Sequence, residues 1–460
     1  MLSKRTVLAA ATVASFMMFL DTTVVNVALS DIRAGLRADL SGLQWVVDGY
    51  TLALAGLLLG AGAVSDRSGA RRTFLAGLGL FTLASLLCGI AGDLTLLIAA
   101  RAVQGVGGAL ILPTSLSLIS QAYPGAKERS GALAIWGAVG GGVALAAGPV
   151  LGGLLTGAFG WRSVFLINVP VGALVFGLAA RIRAEGATAR DRPMDWGGQV
   201  TGLLALGALT VLFIEGPSLG WNSPVAVAAG LIGLVAGAAF LRTEARVAAP
   251  MLPLRLFRVR EFSVSTVVGF AINFAFYGQL FFMSLYLQNR LGLSPTATGW
   301  RFVPETLAAP LFTTFVTRFL PNLSPQRALL LGIGLCGTGL AGLALFGLRG
   351  AFFVDLPLLV LIGFGAGSPT FLVAVMLGSV PPAQSGLAAG ALSAARQVGG
   401  LLGVALLGGV VGHSPSDAGV RLALGVGAGA MLLASLLAAT LRTQPAHAVD
   451  PAVAAAEATA

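Results

Sequence analysis

Long runs of apolar residues, separated by short polar segments, fill almost the whole chain. An α-helix needs about 20 apolar residues to cross a hydrocarbon core about 30 Å thick, and each run approaches or exceeds that length. The pattern predicts an all-α polytopic membrane protein with fourteen transmembrane helices. The predicted spans are residues 7–29, 43–64, 73–91, 94–120, 131–156, 163–180, 197–214, 225–241, 262–288, 295–319, 326–347, 353–377, 385–411 and 419–441.

The basic residues support an even number of spans. If the N-terminus is cytoplasmic, the cytoplasmic segments hold 19 lysines and arginines, the external loops hold six, and three arginines lie within spans. Cytoplasmic loops of membrane proteins carry an excess of Lys and Arg, so we expect both termini to be cytoplasmic. Loss of the shortest span, 225–241, would place the two halves of the chain in opposite orientations.

Two long polar connections, 181–196 and 242–261, bracket two of the spans. We interpret these two spans as an insert between two six-helix bundles. A glycine run followed by Pro-Thr occurs in both halves, at Pro113 and at Pro369, and two related halves that face a midplane site are typical of transporters. The expected units are an N-terminal bundle at 1–180, a linker with two inserted transmembrane helices at 181–261, a C-terminal bundle at 262–441 and a disordered cytoplasmic tail at 442–460.

Composition and charge exclude most other classes of protein. Only 10% of the residues are charged, against about 25% in soluble domains, so the surface must face a lipid bilayer. The net charge of +10 lies in short clusters between apolar runs, which is how topology is encoded, and no nucleic-acid partner is expected. Cys88 and Cys336 lie inside apolar runs, and no catalytic motif occurs, so we predict no metal site, no cofactor and no enzyme activity.

Ionisable residues within the spans are the candidate functional residues, because each costs at least about 2.5–3.5 kcal/mol near the bilayer centre. Asp21 lies just past the middle of span 7–29. One face of that helix, about 140° wide, carries Ser15, Met18, Asp21, Thr22, Val25 and Asn26. A polar wedge on an apolar helix indicates a cavity. The alternative is that Asp21 only bonds to a neighbouring helix.

Two basic residues are further candidates. Arg101 lies about two turns into span 94–120, and Gln104 follows one turn later on the same face. This placement indicates a role in proton coupling or substrate binding, although the long stem of Arg101 would also allow it to reach the membrane interface. Arg396, beside Gln397 in span 385–411, is a candidate of the same kind.

Other carboxylates have structural alternatives. Glu305 follows Pro304, and a helix broken beside a carboxyl group suits a binding site, but Glu305 could instead form an ion pair with Arg301. Asp48 is a second candidate, with an interfacial carboxylate as its alternative. Glu215 and Asp355 lie at the outer ends of spans, and we interpret them as solvated caps.

Small residues recur at steps of four in spans 131–156 and 385–411. Such stripes allow two helices to approach closely, so packing alone is one interpretation of them. Gly148-Pro149 is more specific, because a proline at that point can bend the helix.

Several segments resemble the major facilitator superfamily, in particular its fourteen-span drug/proton antiporter branch. Residues 62–72 (GAVSDRSGARR) resemble the superfamily's loop signature, and residues 101–107 (RAVQGVG) its span-four signature. The span-five signature typical of antiporters resembles residues 137–153 (GAVGGGVALAAGPVLGG). Residues 20–29 (LDTTVVNVAL) and 161–172 (WRSVFLINVPVG) are similar to segments of the fourteen-span branch.

The resemblance implies export of a lipophilic, often cationic compound in exchange for protons. Asp21 would bind the proton or cation, and Arg101 would couple protonation to substrate release. A gating group would comprise Gly62, Asp66, Arg67, Gly69, Arg71, Arg72, Gly148 and Pro149. Ser30 stands where the branch usually has proline, and Ala70 where the loop signature has a basic residue, which weakens the expected gate.

The partners expected from this interpretation are a small lipophilic or cationic substrate, protons and the lipid bilayer. We expect a monomer in the plasma membrane of a bacterium. One alternative is a proton-coupled uptake carrier for a metabolite, on the same fold. Another is a non-transporting membrane sensor or enzyme, which would need a folded soluble domain or a catalytic cluster.

Overall fold

The computed structural model describes residues 4–182, 195–247, 250–346, 352–381, 384–412 and 416–441. Within these ranges all regular structure is helical. The helices are α1 (Lys4–Leu36), α2 (Leu40–Ser68), α3 (Ala70–Ile90), α4 (Leu94–Ala122), α5 (Ala126–Phe159), α6 (Ser163–Ala180), α7 (Trp196–Leu219), α8 (Pro224–Glu244), α9 (Arg260–Asn289), α10 (Pro295–Arg301), α11 (Val303–Phe319), α12 (Pro325–Phe346), α13 (Phe352–Leu377), α14 (Ser385–Val411) and α15 (Asp417–Ala439). The expected tail at 442–460 lies outside the described residues.

The structure identifies thirteen membrane-crossing helices among the described residues, not fourteen. The difference is the predicted span 295–319, which forms two shorter helices, α10 and α11, joined at Phe302. Pro304, which has no backbone N–H to donate, lies in the first turn of α11 and weakens continuity with α10. The two pieces have 7 and 17 residues, both short of the about 20 that one crossing typically needs, so the count of fourteen is not confirmed.

Local sequence signals determine where several helices begin and end. The side chains of Asp39, Asp93 and Asp195 accept hydrogen bonds from the first free N–H groups of α2, α4 and α7, which stabilises each helix start. Gly69, between α2 and α3, has φ of 87°, a conformation that glycine adopts without strain. A π-helical stretch, Trp136–Val143, interrupts α5 in its glycine-rich part.

The small-residue stripes lie where helices touch. A Cβ atom at Gly152 of α5 would lie 2.6 Å from the backbone oxygen of Val24 in α1. Gly399 and Gly403 of α14 similarly face the backbone of α9, where added Cβ atoms would collide with the carbonyl groups of Phe270 and Phe274. Both stripes therefore bring helix backbones into direct contact, as such residues do in membrane bundles.

Hydrogen bonds join the N-terminal and C-terminal parts of the chain at the end opposite residues 67–72. Ser284 and Gln288 of α9 donate to the carbonyl oxygens of Asn26 and Val27, at 2.7 and 2.9 Å. Gln44 of α2 donates to those of Val404 and Ala405 in α14, at 3.0 and 2.9 Å. Finally, Thr296 of α10 donates to the carbonyl of Gly153 in α5, at 3.0 Å. These contacts close that end of the molecule.

Candidate functional site

Asp21 lies at the centre of a buried polar cluster formed by α1, α3, α4 and α6. Its Oδ2 accepts a hydrogen bond from Arg101 Nη1. Its Oδ1 accepts from Gln104 Nε2 at 2.8 Å and from Asn168 Nδ2 at 3.0 Å. Ser85 Oγ accepts from Gln104 Nε2 at 2.9 Å. These side chains are at most 2% exposed, so both carboxylate oxygens are partnered entirely within the protein.

Arg101 is held by more than the ion pair. Its Nε donates to the carbonyl oxygen of Val46 at 2.9 Å, and its Nη1 donates to Gln104 Oε1 at 2.7 Å. The guanidinium carbon lies 4.5 Å from the centre of the Tyr50 ring and 5.6 Å from that of Phe165, so aromatic faces add cation–π attraction. The arginine therefore does not extend to a membrane interface.

This arrangement makes the charge state of Asp21 consequential. A buried ion pair is tolerated because each charge compensates the other, and removing one charge leaves its partner buried without compensation. Protonation of Asp21 would do this to Arg101, because the neutral carboxyl group no longer balances the guanidinium. The ion pair therefore holds α1 against α4 only while both residues are charged.

Glu305 belongs to a different buried group. Gln279 Nε2 of α9 donates to Glu305 Oε2 at 3.2 Å, while the buried Oε1 has no hydrogen-bond partner among the described residues. The described hydrogen-bond partner of Glu305 is Gln279 rather than Arg301, and Arg301 Nη1 lies 4.0 Å from an oxygen of Asp355. Asp355 is 2% exposed, so its interpretation as a solvated cap is wrong.

Asp48 and Asn26 also lie apart from the Asp21 cluster. Asp48 is fully buried, and neither of its carboxylate oxygens has a hydrogen-bond partner in the described part of the chain. Asn26 donates back to the carbonyl oxygens of Thr22 and Thr23 in its own helix, at 3.1 and 3.4 Å. Glu215, interpreted as a solvated cap, is half-buried and accepts a hydrogen bond of 2.8 Å from the indole of Trp45.

A cavity of about 60 Å³ lies between α5 of the N-terminal part and α9, α11, α13 and α14 of the C-terminal part. Its polar lining comes from Asn273, Tyr277, Thr306 and Arg396. Arg396 Nε donates to Asn273 Oδ1 at 3.4 Å, and the hydroxyl group of Tyr277 lies near that of Thr22 in α1. Thr22 lies next to Asp21 in the chain, so this cavity adjoins the helix that carries the buried carboxylate.

Comparison with known proteins decides the family. A sequence model of the Major Facilitator Superfamily matches residues 11–404. The chain belongs to the major facilitator superfamily. Multidrug resistance protein Stp of Mycobacterium tuberculosis is 37% identical over 402 residues, which cover 86% of this chain and 74% of that protein. The Methylenomycin A resistance protein of Streptomyces coelicolor is also 37% identical, with 86% and 83% covered.

Solved structures confirm the fold of this major facilitator protein. An auto inhibited POT family peptide transporter matches with a TM-score of 0.70 and 15% identity, over 96% of this chain and 99% of the other. A D-xylose-proton symporter matches with a TM-score of 0.66 and 14% identity, over 96% and 98%. The family and the relatives named for drug resistance show that the chain is a multi-pass membrane transporter, and the prediction that it is not an enzyme is confirmed.

The loop that resembles the superfamily signature connects α2 and α3. Gly69 ends α2, where its N–H donates to the carbonyl oxygen of Ser65 at 2.9 Å. Arg71 Nη2 donates to the carbonyl oxygen of Ala180 at 2.5 Å, which ties α3 to the end of α6. Asp66, Arg67 and Arg72 are exposed. The loop thus links two helix ends at one surface of the transporter.

The remaining residues predicted for gating lie either at contacts between helices or where no other residue packs against them. A Cβ atom at Gly148 would collide with the hydroxyl group of Thr23 in α1, while one at Gly62 would meet no atom within 4 Å. The carbonyl group of Pro149 fills the space beside Gly299 of α10. Gly148 and Pro149 therefore bring α5 close to both α1 and α10.

Sequence reasoning found Asp21, Arg101 and Gln104, and the structure brings these three together. It missed Ser85, Asn168 and the aromatic contacts of Arg101. Asn168 is the polar residue of a largely apolar stretch, 164–172, which is a signal that could have identified it. Tyr277 gives no such signal, because its importance depends on which helix it faces.

Proposed function

We propose that this transporter exports a lipophilic or cationic drug or antibiotic from a bacterial cell in exchange for protons. The observation that carries the proposal is the buried Asp21–Arg101 ion pair, whose carboxylate lies on α1, a helix that adjoins a cavity bordered by both parts of the chain. The names of the relatives support the substrate class, because they refer to resistance to multiple drugs and to methylenomycin A. A third relative, the Tetracenomycin C resistance and export protein of Streptomyces glaucescens, is 36% identical over 87% of this chain and 74% of that protein.

In this mechanism the substrate binds while Asp21 is charged, and a proton competes with the substrate by neutralising Asp21. Substrate leaves the cavity between α5 and the C-terminal helices when protonation of Asp21 frees Arg101 and allows α1 to shift against α4. One proton that enters down a membrane potential of 100 mV releases about 2.3 kcal/mol, and each pH unit adds about 1.4 kcal/mol. One or two protons therefore suffice for a substantial substrate gradient.

Glu305 and Asp48 extend the same proposal. Each is a buried carboxylate with an oxygen that lacks a hydrogen-bond partner within the described ranges, so each is a candidate second site for a proton or a cationic substrate. The exposed Asp66 and Arg67, together with Gly62, Gly69, Arg71 and Arg72, would bias the exchange between inward-facing and outward-facing states. Gly148 and Pro149 would form the bend point of α5.

We further propose that α10 and α11 together cross the membrane once, which gives fourteen spans. Their combined length, from Pro295 to Phe319, is sufficient for one crossing at about 1.5 Å per residue. Two six-helix bundles would then flank α7 and α8, and both termini would be cytoplasmic.

Single cysteines at Ser68 and Ser218, in a background without the native cysteines, should react with impermeant reagents from opposite sides. Labelling of both from outside would contradict this topology.

Transport in proteoliposomes tests the proposed function directly. With the purified protein in vesicles and an imposed pH gradient, a fluorescent lipophilic cation should move opposite to the proton flow. The uptake carrier with the same fold remains the alternative, since the fold is shared with a D-xylose-proton symporter. Movement of substrate in the same direction as the protons would establish that alternative instead.

A further inference from the structure

A second, larger cavity lies away from the Asp21 cluster. Its volume is about 390 Å³, and it is enclosed by α2, α7, α8, α9, α14 and the connection between α8 and α9. The residues around it include Ala55, Leu206, Phe257, Val267 and Ala394. Val267 and Phe257 are 48% and 38% exposed, so the cavity opens beside them toward the surroundings of the protein. The space therefore lies between the inserted helices and both bundles at this end of the helices.

The cavity extends over about one leaflet of a bilayer. It begins at Phe257 in the connection and reaches Leu206 in α7 and Phe270 in α9. Leu206 lies ten residues beyond Trp196, and Phe270 lies ten residues beyond Arg260, the first residues of these helices. Ten residues of helix correspond to about 15 Å, which is half of a hydrocarbon core about 30 Å thick.

The walls offer a ligand almost no hydrogen bonds. Thr266 uses its hydroxyl group to donate to the carbonyl oxygen of Phe262 at 2.8 Å. Gln199 donates to the carbonyl oxygen of Gly56 at 2.5 Å, while its Oε1, which packs against Gly60, has no hydrogen-bond partner among the described residues. A ligand with polar groups throughout its structure would leave them unsatisfied here, at a cost that an unbranched hydrocarbon avoids.

The opening is surrounded by positive charge. Arg255, Arg258 and Arg260 flank Phe257 in the connection and the first turn of α9, and all three are exposed. Two carboxylates at the same end are buried: Glu244 accepts a hydrogen bond from the backbone N–H of Leu252 at 2.9 Å, and Asp195 accepts one from Gly198 at 2.7 Å. Glu261, next to Arg260, is half-buried, so the three arginines outnumber the one partly exposed carboxylate. The exposed surface at the opening therefore attracts an anion.

We propose that this cavity binds one acyl chain of an anionic phospholipid whose phosphate group is held by Arg255, Arg258 and Arg260. The apolar walls accept the hydrocarbon, and their depth matches the leaflet from which the lipid would enter. Basic pockets between transmembrane helices bind anionic headgroups in this way. The lipid fills the gap between the inserted helices and the bundles, so it acts as a structural part of the transporter.

Native mass spectrometry of the purified full-length protein tests the proposal, with phosphatidylglycerol and phosphatidylcholine as the probes. The wild-type protein should retain one phosphatidylglycerol molecule in preference to phosphatidylcholine. Replacing Arg255, Arg258 and Arg260 by glutamine should weaken retention roughly five-fold for each arginine, and about 100-fold for all three. The matched control replaces Lys127 and Arg129, exposed basic residues in the first turn of α5, and should retain the lipid as the wild type does.

A second pair of variants tests the hydrocarbon part. Ala394→Phe places a ring in the cavity and should abolish retention, whereas Ala238→Phe, on an exposed part of α8, should not. If Ala394→Phe fails to fold, the triple arginine variant still decides the question. Equal retention by the triple variant and the wild type would overturn the proposal. Displacement of phosphatidylglycerol by tetraphenylphosphonium would also overturn it, since the cavity would then be a drug site. No transport is measured, so the result is independent of the proposed export function.

Discussion

Asp21→Asn should abolish proton-driven export while leaving the protein inserted in the membrane. Asparagine has nearly the size of aspartate and can still accept hydrogen bonds from Gln104 and Asn168, which now reach Asp21 Oδ1 at 2.8 and 3.0 Å. It has no negative charge and cannot bind a proton in the relevant pH range. The variant therefore removes titration with little change of shape.

The structure also gives the expected effect on stability. Arg101 is 1% exposed and has lost its counter-charge in this variant, and breaking one side of a buried ion pair costs about 3–5 kcal/mol. Replacing both charged residues, as in Asp21→Asn with Arg101→Gln, removes the uncompensated charge and should recover most of that loss. Export should stay absent in the double variant, because no titratable group is restored.

The assay is efflux from proteoliposomes under an imposed pH gradient, with thermal unfolding in detergent measured in parallel. Asp21→Glu keeps the charge and serves as the control that separates titration from geometry. Gradient-dependent efflux by Asp21→Asn at the wild-type rate would refute the coupling role of Asp21. A double variant no more stable than Asp21→Asn alone would refute the reasoning about the uncompensated arginine.

Two further predictions concern the C-terminal part of the chain. Glu305→Gln should lower export without abolishing it, because Gln279 can still donate to the new side chain. If this variant alone is inactive in the efflux assay, the titrating site is Glu305 and the assignment to Asp21 is wrong. Gly403→Ala should destabilise the protein by about 1–3 kcal/mol, because the new Cβ atom meets the backbone of Phe274. Thermal unfolding measures this effect, and Gly425→Ala, where a Cβ atom meets nothing within 4 Å, should leave stability unchanged.

The sequence was sufficient to predict the class of fold and the centre of the candidate site. Apolar runs of sufficient length are a direct consequence of bilayer thickness, and a charged residue within such a run stands out because it is costly. Asp21 and Arg101 were found for that reason. The same reasoning cannot identify their partners, because Ser85 and Asn168 are uncharged and matter only through the packing of α3 and α6 around α1.

Details that depend on backbone geometry were harder to predict. Pro304 indicated a broken helix, but the sequence does not give the point of interruption, and the break at Phe302 leaves two short helices where one span was expected. Asp355 lies near the start of α13 and was therefore interpreted as solvated. It is buried because α10 brings Arg301 to within 4.0 Å of it, a contact between segments that are distant in the sequence.

The hydrogen bonds that close the end opposite residues 67–72 share one chemical feature. Each donor is a side chain, from Gln44, Ser284, Gln288 or Thr296, and each acceptor is a main-chain carbonyl oxygen. Point mutations on the accepting helices leave those oxygens in place, so the hydrogen bonds of this closure depend on the four donor positions.

Hydrogen bonds of this kind contribute about 1 kcal/mol each, so the five together amount to roughly the 5.5 kcal/mol that moves a two-state equilibrium from 1:99 to 99:1. The energy released by one or two protons is of the same order. Under the proposed proton exchange, the closed end is thus strong enough to hold one state and weak enough to be opened in each cycle. Relatives with other residues at the four donor positions would have a different equilibrium between the states in which this end is closed and open.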